Sequence, residues 1–158
     1  MMRRALAMAA FLALLPNYSW SYDFMQVCQI QADYGDPQGL SKILSPLEWE
    51  DIKAGKGKAK KEDWIDAYLV YDAKDFELAY SNSFPPDNPR IMVWRAIYGK
   101  SRLPQNMRTK KQIAEMLKAA PEEFLNDKLN VNCDCGDVEF TFKDNQTEKM
   151  ELIFISCH

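Results

Sequence analysis

The chain has 158 residues, a formal net charge of −3, 12% aromatic residues and four cysteines. That length fits one domain with its own core. A mildly acidic balance of mixed signs excludes general nucleic-acid binding, which relies on dense positive charge against phosphate.

The first residues read as an export signal. Arg3 and Arg4 supply a positive start, Ala5 to Leu15 is an unbroken apolar run, and Pro16 ends it. Ser19-Trp20-Ser21 places small residues where signal peptidase needs them, so residues 1–21 are expected to be removed after Ser21. The rival reading is a membrane anchor, but as a helix the run reaches about 16 Å, roughly half of a hydrocarbon core. No later segment approaches spanning length, and no cysteine at the cleavage site offers a lipid attachment. Residues 22–158 are then a single exported domain. The lost segment takes two arginines and no acid, which moves the formal charge from −3 to −5.

Cys28, Cys133, Cys135 and Cys157 all survive cleavage. An even number in an exported chain reads first as two disulfides. Cys133 and Cys135 would share one face of a strand, too strained for an easy mutual bond. Cys28 is therefore expected to join one of them or Cys157, with the other two closing the C-terminal sheet. The competing arrangement is a zinc site made of the three late cysteines and His158, which oxidising surroundings disfavour. No metal or other cofactor is expected.

After the signal, Phe24, Val27 and Cys28 predict an opening helix that ends near Tyr34-Gly35. A short turn through Leu40, Ile43 and Leu44 follows Asp36-Pro37. Ser45-Pro46-Leu47-Glu48 reads as a capping box with proline at the first helical position. Residues 53–61, KAGKGKAKK, read as a solvated loop, or more sharply as a basic patch at Lys56, Lys58 and Lys60 for an anionic partner. Glu62 to Tyr80 reads as a long helix whose apolar face holds Trp64, Ile65, Tyr68, Leu69, Phe76, Ala79 and Tyr80. Ser81 to Pro89 is a proline-punctuated loop. Another helix, capped by Asn88-Pro89, carries Ile91, Trp94, Ile97 and Tyr98 to Gly99. Thr109-Lys110-Lys111-Gln112 is a second capping box and opens a helix with Ile113, Met116, Leu117 and Ala120 on one side. Pro121 breaks it and starts a short helix from Glu122 to Lys128.

The period then changes to two. Leu129, Val131 and Cys133 alternate with polar neighbours, as do Val138, Phe140 and Phe142, and then Leu152 and Phe154. Gly136-Asp137 and Asp144-Asn145 mark the turns of a three-stranded antiparallel meander. The expected fold is therefore α+β: N-terminal helices packed on a C-terminal three-stranded sheet, stapled by disulfides.

Catalytic signatures are sparse. The sole histidine, His158, is the last residue of the sequence, and a Ser/His/Asp or Cys/His mechanism would have to rest on it. Glu48, Glu50 and Asp51 cluster beside Trp49, a pattern that could serve glycoside hydrolysis if one acid were buried with a raised pKa. Acids in a first helical turn are equally explained by the helix dipole. Asn145-Gln146-Thr147 is a glycosylation sequon, meaningful in a eukaryotic host. No catalytic residue is assigned.

Leu103-Pro104-Gln105-Asn106-Met107-Arg108-Thr109, running through Gln112-Ile113 and Leu117 to Pro121-Glu122, resembles a segment of small periplasmic immunity proteins. Those proteins protect bacteria from cell-wall amidases delivered by type VI secretion. Their segment runs proline, short loop, capping threonine, glutamine three residues later, helix and Pro-Glu. Arg102 stands where that pattern has a cysteine. The resemblance implies a non-enzymatic inhibitor that inserts a loop into the cleft of a partner enzyme. The loops available for this are 53–61 and 81–88, with Phe84 as the apolar anchor. A periplasmic small-molecule carrier with a pocket lined by Phe140, Phe142 and Phe154 is the alternative, and a carboxylate hydrolase the third.

Overall fold

A computed structural model describes residues 22–62, 65–83 and 90–155. Among these are four α-helices, α1 (Phe24–Tyr34), α2 (Pro37–Ile43), α3 (Pro46–Lys53) and α4 (Lys110–Leu117). Seven strands join them: β1 (Lys58–Glu62), β2 (Ile65–Ala73), β3 (Phe76–Ser83), β4 (Arg90–Gly99), β5 (Lys128–Cys133), β6 (Gly136–Lys143) and β7 (Gln146–Phe154). All pair antiparallel in one sheet of order β1-β2-β3-β4-β7-β6-β5.

The sheet thus has seven strands, not three, because two segments with helix-like apolar spacing are strands. In β2, aromatic and β-branched residues fall at both parities, and with Phe76, Ala79 and Tyr80 of β3 the apolar stripe looks broad enough for a helix. Such density of Tyr, Val and Phe favours a pleated surface apolar on both sides. The reversal at Lys74-Asp75 joins β2 to β3, with Ala73 opposite Phe76. Asp75 takes a φ of 54°, a left-handed geometry that Asp tolerates better than most residues. In β4 the misleading feature is a bulge. Ala79 faces Arg95 but Tyr80 faces Val93, which leaves Trp94 as an extra residue. Buried positions therefore fall at Val93, Ala96 and Tyr98, and a three-residue step imitates a helix. The basic stretch is corrected in part as well: its second half is β1, an exposed edge strand. Beyond Pro121 there is a single 3-10 turn, Pro121–Glu123, rather than a helix to Lys128.

The other elements follow the expected chemistry. Ser45 Oγ accepts from Glu48 N at 3.3 Å, and Ser45 N donates to Glu48 Oε2 at 2.9 Å. Thr109 and Gln112 form the same reciprocal pair at 3.1 and 3.0 Å. The C-terminal meander buries the expected residues except Phe154, which is half-buried, and Asp144-Asn145 turns β6 into β7 with both residues at positive φ. Its first turn sits at Asp134-Cys135, just before the expected Gly136-Asp137. Gly136 is needed there, since a Cβ at this position would lie 1.8 Å from the Ile153 carbonyl oxygen.

One sheet face carries the core. Leu78, Tyr80, Ala96, Tyr98, Phe140 and Leu152 pack against Val27, Ile30, Leu40, Ile52, Ile113 and Leu117 of the helices. Two polar links hold α1 in place. Gln31 Nε2 donates to the carbonyls of Asp137 and Ile153, each at 3.3 Å. The Tyr98 hydroxyl donates to Tyr34 O at 2.5 Å. The covalent link is Cys28–Cys133, with a Cα–Cα distance of 5.3 Å. No described helix is long and apolar enough to cross a membrane.

The disulfide closes a loop 105 residues in sequence separation, for which chain entropy alone gives about 4.7 kcal/mol. Replacing both cysteines, Cys28→Ala with Cys133→Ala, is expected to lower the urea-unfolding free energy by about 3–5 kcal/mol. A loss below about 1 kcal/mol would mean that packing alone holds α1.

Candidate partner-binding surface

The structure separates the three predicted lysines by role. Lys56 lies in the turn between α3 and β1, where its Nζ reaches Asp51 Oδ1 at 2.6 Å. This hydrogen bond raises the lysine pKa. Its carbonyl accepts from the buried Tyr80 hydroxyl at 2.6 Å, and burial pushes that phenol up to about 12. Lys56 is therefore tied into the scaffold. Lys58 and Lys60 stand on one face of β1, opposite Val70 and Tyr68 respectively. Together with Lys61 they make no ion pair among the described residues. Gly57 permits this close approach of β1 to β2. It adopts a φ of 149°, and a Cβ there would meet the Val70 carbonyl oxygen at 2.8 Å.

The lysine face of β1 continues onto the side of the sheet away from the helices. Tyr68, Val70 and Ala79 form a small cluster there, with Trp94 packed against it. Beside the cluster, Arg95 Nη2 pairs with Glu77 Oε1 at 2.6 Å, and its Nε lies 4.0 Å from Glu151. The Tyr68 hydroxyl donates to Glu62 Oε1 at 2.8 Å. On the helix side of β1, a groove of about 570 Å³ runs between the end of α3 and β1–β3, lined by Lys53, Ala59, Leu69 and Asn82. Asn82 Oδ1 is buried at its edge with no hydrogen-bond partner among the described residues. The result is a cationic border flanked by an aromatic patch on one side and a partly polar groove on the other.

Glu48, the leading acid of the hydrolase reading, has the wrong electrostatics for a proton donor. Arg102 Nη2 and Nη1 donate to its two oxygens at 2.5 and 3.2 Å. Those bonds, with help from Ser45, hold its carboxyl down at about 2. Glu50 pairs with Lys53 at 2.5 Å and Asp51 with Lys56. The Glu48–Arg102 pair leaves no local trace in the sequence, as its partners lie on separate elements. Arg102 also donates from Nε to Lys74 O at 2.9 Å, and its guanidinium sits 5.8 Å from the Phe76 ring centre.

Cys28, Cys133 and Cys135 are bonds and not ligands. Cys133 is joined to Cys28, and Cys135 is also disulfide-bonded, which removes the zinc arrangement. Among the described residues no group of His, Cys, Asp and Glu could hold a metal. Phe140 and Phe142 are buried in the core, and only Phe154 of the carrier set lines a cavity. Phe84, Cys157, His158 and residues 1–21 lie outside the described residues. Sequence reasoning missed the Tyr68–Trp94–Arg95 face, although the two-sided apolar pattern of β2 was its signal. The chain matches no protein-family model, no curated protein and no solved structure.

Glu48 ionises well below its ordinary value of 4.5, so the stability it contributes is full above about pH 4.5 and is lost as pH falls toward 2. With Arg102 removed as Arg102→Gln, unfolding at neutral pH is expected to become easier by roughly 2 kcal/mol, an allowance for partial exposure included. Urea titrations of both proteins should converge as the pH approaches 2. A gap that stays constant with pH would rule out the ion pair as its cause.

Proposed function

We propose that this protein is an exported, non-enzymatic binding protein that occludes an acidic surface on a protein partner, in the manner of an immunity protein against a cell-wall-degrading effector. The observation that carries this reading is the edge strand β1, where Lys58, Lys60 and Lys61 make no ion pair among the described residues and stand on a covalently braced sheet. Lysines on an edge strand also discourage edge-to-edge aggregation. Recognition accounts in addition for what flanks them: a patch containing Tyr68 and Trp94 on one side and a groove on the other. Aromatic anchors beside charges are what interface centres use. The disulfide supports export, since such bonds persist in oxidising compartments. The segment from Leu103 to Glu122 supports the immunity version through its resemblance to amidase-directed inhibitors.

The test is inhibition of purified type VI cell-wall amidases by the protein, read as peptidoglycan turnover. Inhibition of one of them is expected to weaken by about a hundredfold in the triple variant Lys58→Glu, Lys60→Glu, Lys61→Glu, with thermal unfolding unchanged. It should also weaken as salt is raised to several hundred millimolar. Saturating protein that leaves every amidase active would defeat the immunity reading. Inhibition that ignores the charge reversal would defeat the lysine edge.

A further inference from the structure

The sheet has a fork in its middle. β4 pairs with β7 only from Arg95 to Gly99, opposite Lys149 to Ile153. Its first part, Arg90 to Val93, pairs with β3 and, among the described residues, has no strand on its other side. At that end β7 keeps to β6: Phe154 lies opposite Gly136, and Ile155 N donates to Cys135 O at 2.7 Å. The bulge at Trp94 marks where the two strands part.

A cleft of about 600 Å³ opens in the fork, a size within the range of ligand sites. Val93, Phe154 and the Cys28–Cys133 bond line it, and Met92 and Ile155 are 48% and 60% exposed. Its charged lining residues among those described are Asp36 and Asp134, with no described cation beside them.

The fork differs from both outer edges of the sheet. β1 is guarded by lysines, and β5 is covered by α1, with Asn132 N donating to the Tyr22 hydroxyl at 3.2 Å. Those are the ordinary defences of a strand edge. Between Ile91 and Val93 the fork has none among the described residues, for the side chains there are apolar and no described strand pairs with that side of β4.

We infer that the fork accepts an extended peptide with alternating apolar side chains and flanking cations. The peptide adds a short strand to β4 through main-chain hydrogen bonds. Four residues span about 13 Å, the length of the open part of β4. Its apolar side chains cover Met92 and Ile155, and its cations meet Asp36 and Asp134. The charge it recognises is opposite to that of the lysine edge, so the site stands apart from the amidase reading.

The experiment uses the oxidised protein and capped hexapeptides of alternating valine and threonine. One carries lysine at both ends, one carries glutamate, and one repeats the lysine peptide with an N-methylated backbone. The lysine peptide is expected to slow amide exchange within Ile91 to Val93 by about tenfold at saturation. Binding should weaken by about tenfold with the glutamate peptide or with Asp36→Asn and Asp134→Asn combined. Equal binding of the N-methylated peptide would make the cleft an apolar ligand site and overturn strand addition. Unchanged exchange in β4, or indifference to peptide charge, would overturn the inference as well.

Discussion

The bond between Cys28 and Cys133 fixes the relation on which the other layers depend. It joins the first helix to the strand at the far edge of the sheet, across 105 residues of sequence. With that end of α1 pinned, Gln31 and Tyr34 are positioned to meet the sheet through the carbonyls of Asp137 and Ile153 and the hydroxyl of Tyr98. The three contacts lie on β4, β6 and β7. The helix therefore bridges the sheet's middle, and α2 and α3 follow from its end to cover the rest of the core face. Burial supplies the larger share of the stabilisation. The bond and the hydrogen bonds decide which arrangement that burial stabilises.

A one-sided core leaves the other face of the sheet with a different task. Its positions alternate with the buried ones, so every strand that contributes Leu78 or Phe140 inward must offer something outward. Across much of the sheet the outward residues are acids and lysines in pairs, such as Lys128 with Glu139 and Lys149 with Glu151. Near β1 the composition shifts to Tyr68, Val70, Ala79 and Trp94. The same region holds the lysines that make no ion pair among the described residues. Charge pairing fades and aromatic area appears at one place, and this gives the surface a direction.

What was legible in the sequence was local. Both capping boxes, the proline at the start of α3 and the turn at Asp144-Asn145 declare themselves within a few residues, because hydrogen bonds between near neighbours decide them. The alternation of β5 to β7 was equally plain, since only one face of those strands is apolar. β2, β3 and β4 were hidden for physical reasons. Tyr68 and Val70 make β2 apolar on both sides, and the bulge at Trp94 shifts the phase of β4. Period alone cannot separate a two-sided strand from a helix. The candidate surface was visible as lysines but not as a strand edge, and its aromatic flank depended on the strands that were misread. The Glu48–Arg102 pair lay out of reach, as partners 54 residues apart leave no local trace.

The strand order has a consequence for how the chain finds this structure. Of its six ladders, five join strands that follow each other directly, and only β4 with β7 closes a long excursion. That excursion runs from Gly99 to Lys149. Hairpins close short loops and form within microseconds, whereas a long closure carries a larger entropy loss before it gains contacts. The two meanders, β1–β4 and β5–β7, are therefore the local folding units. Their joining across β4 and β7 is the step on which the topology sets the speed.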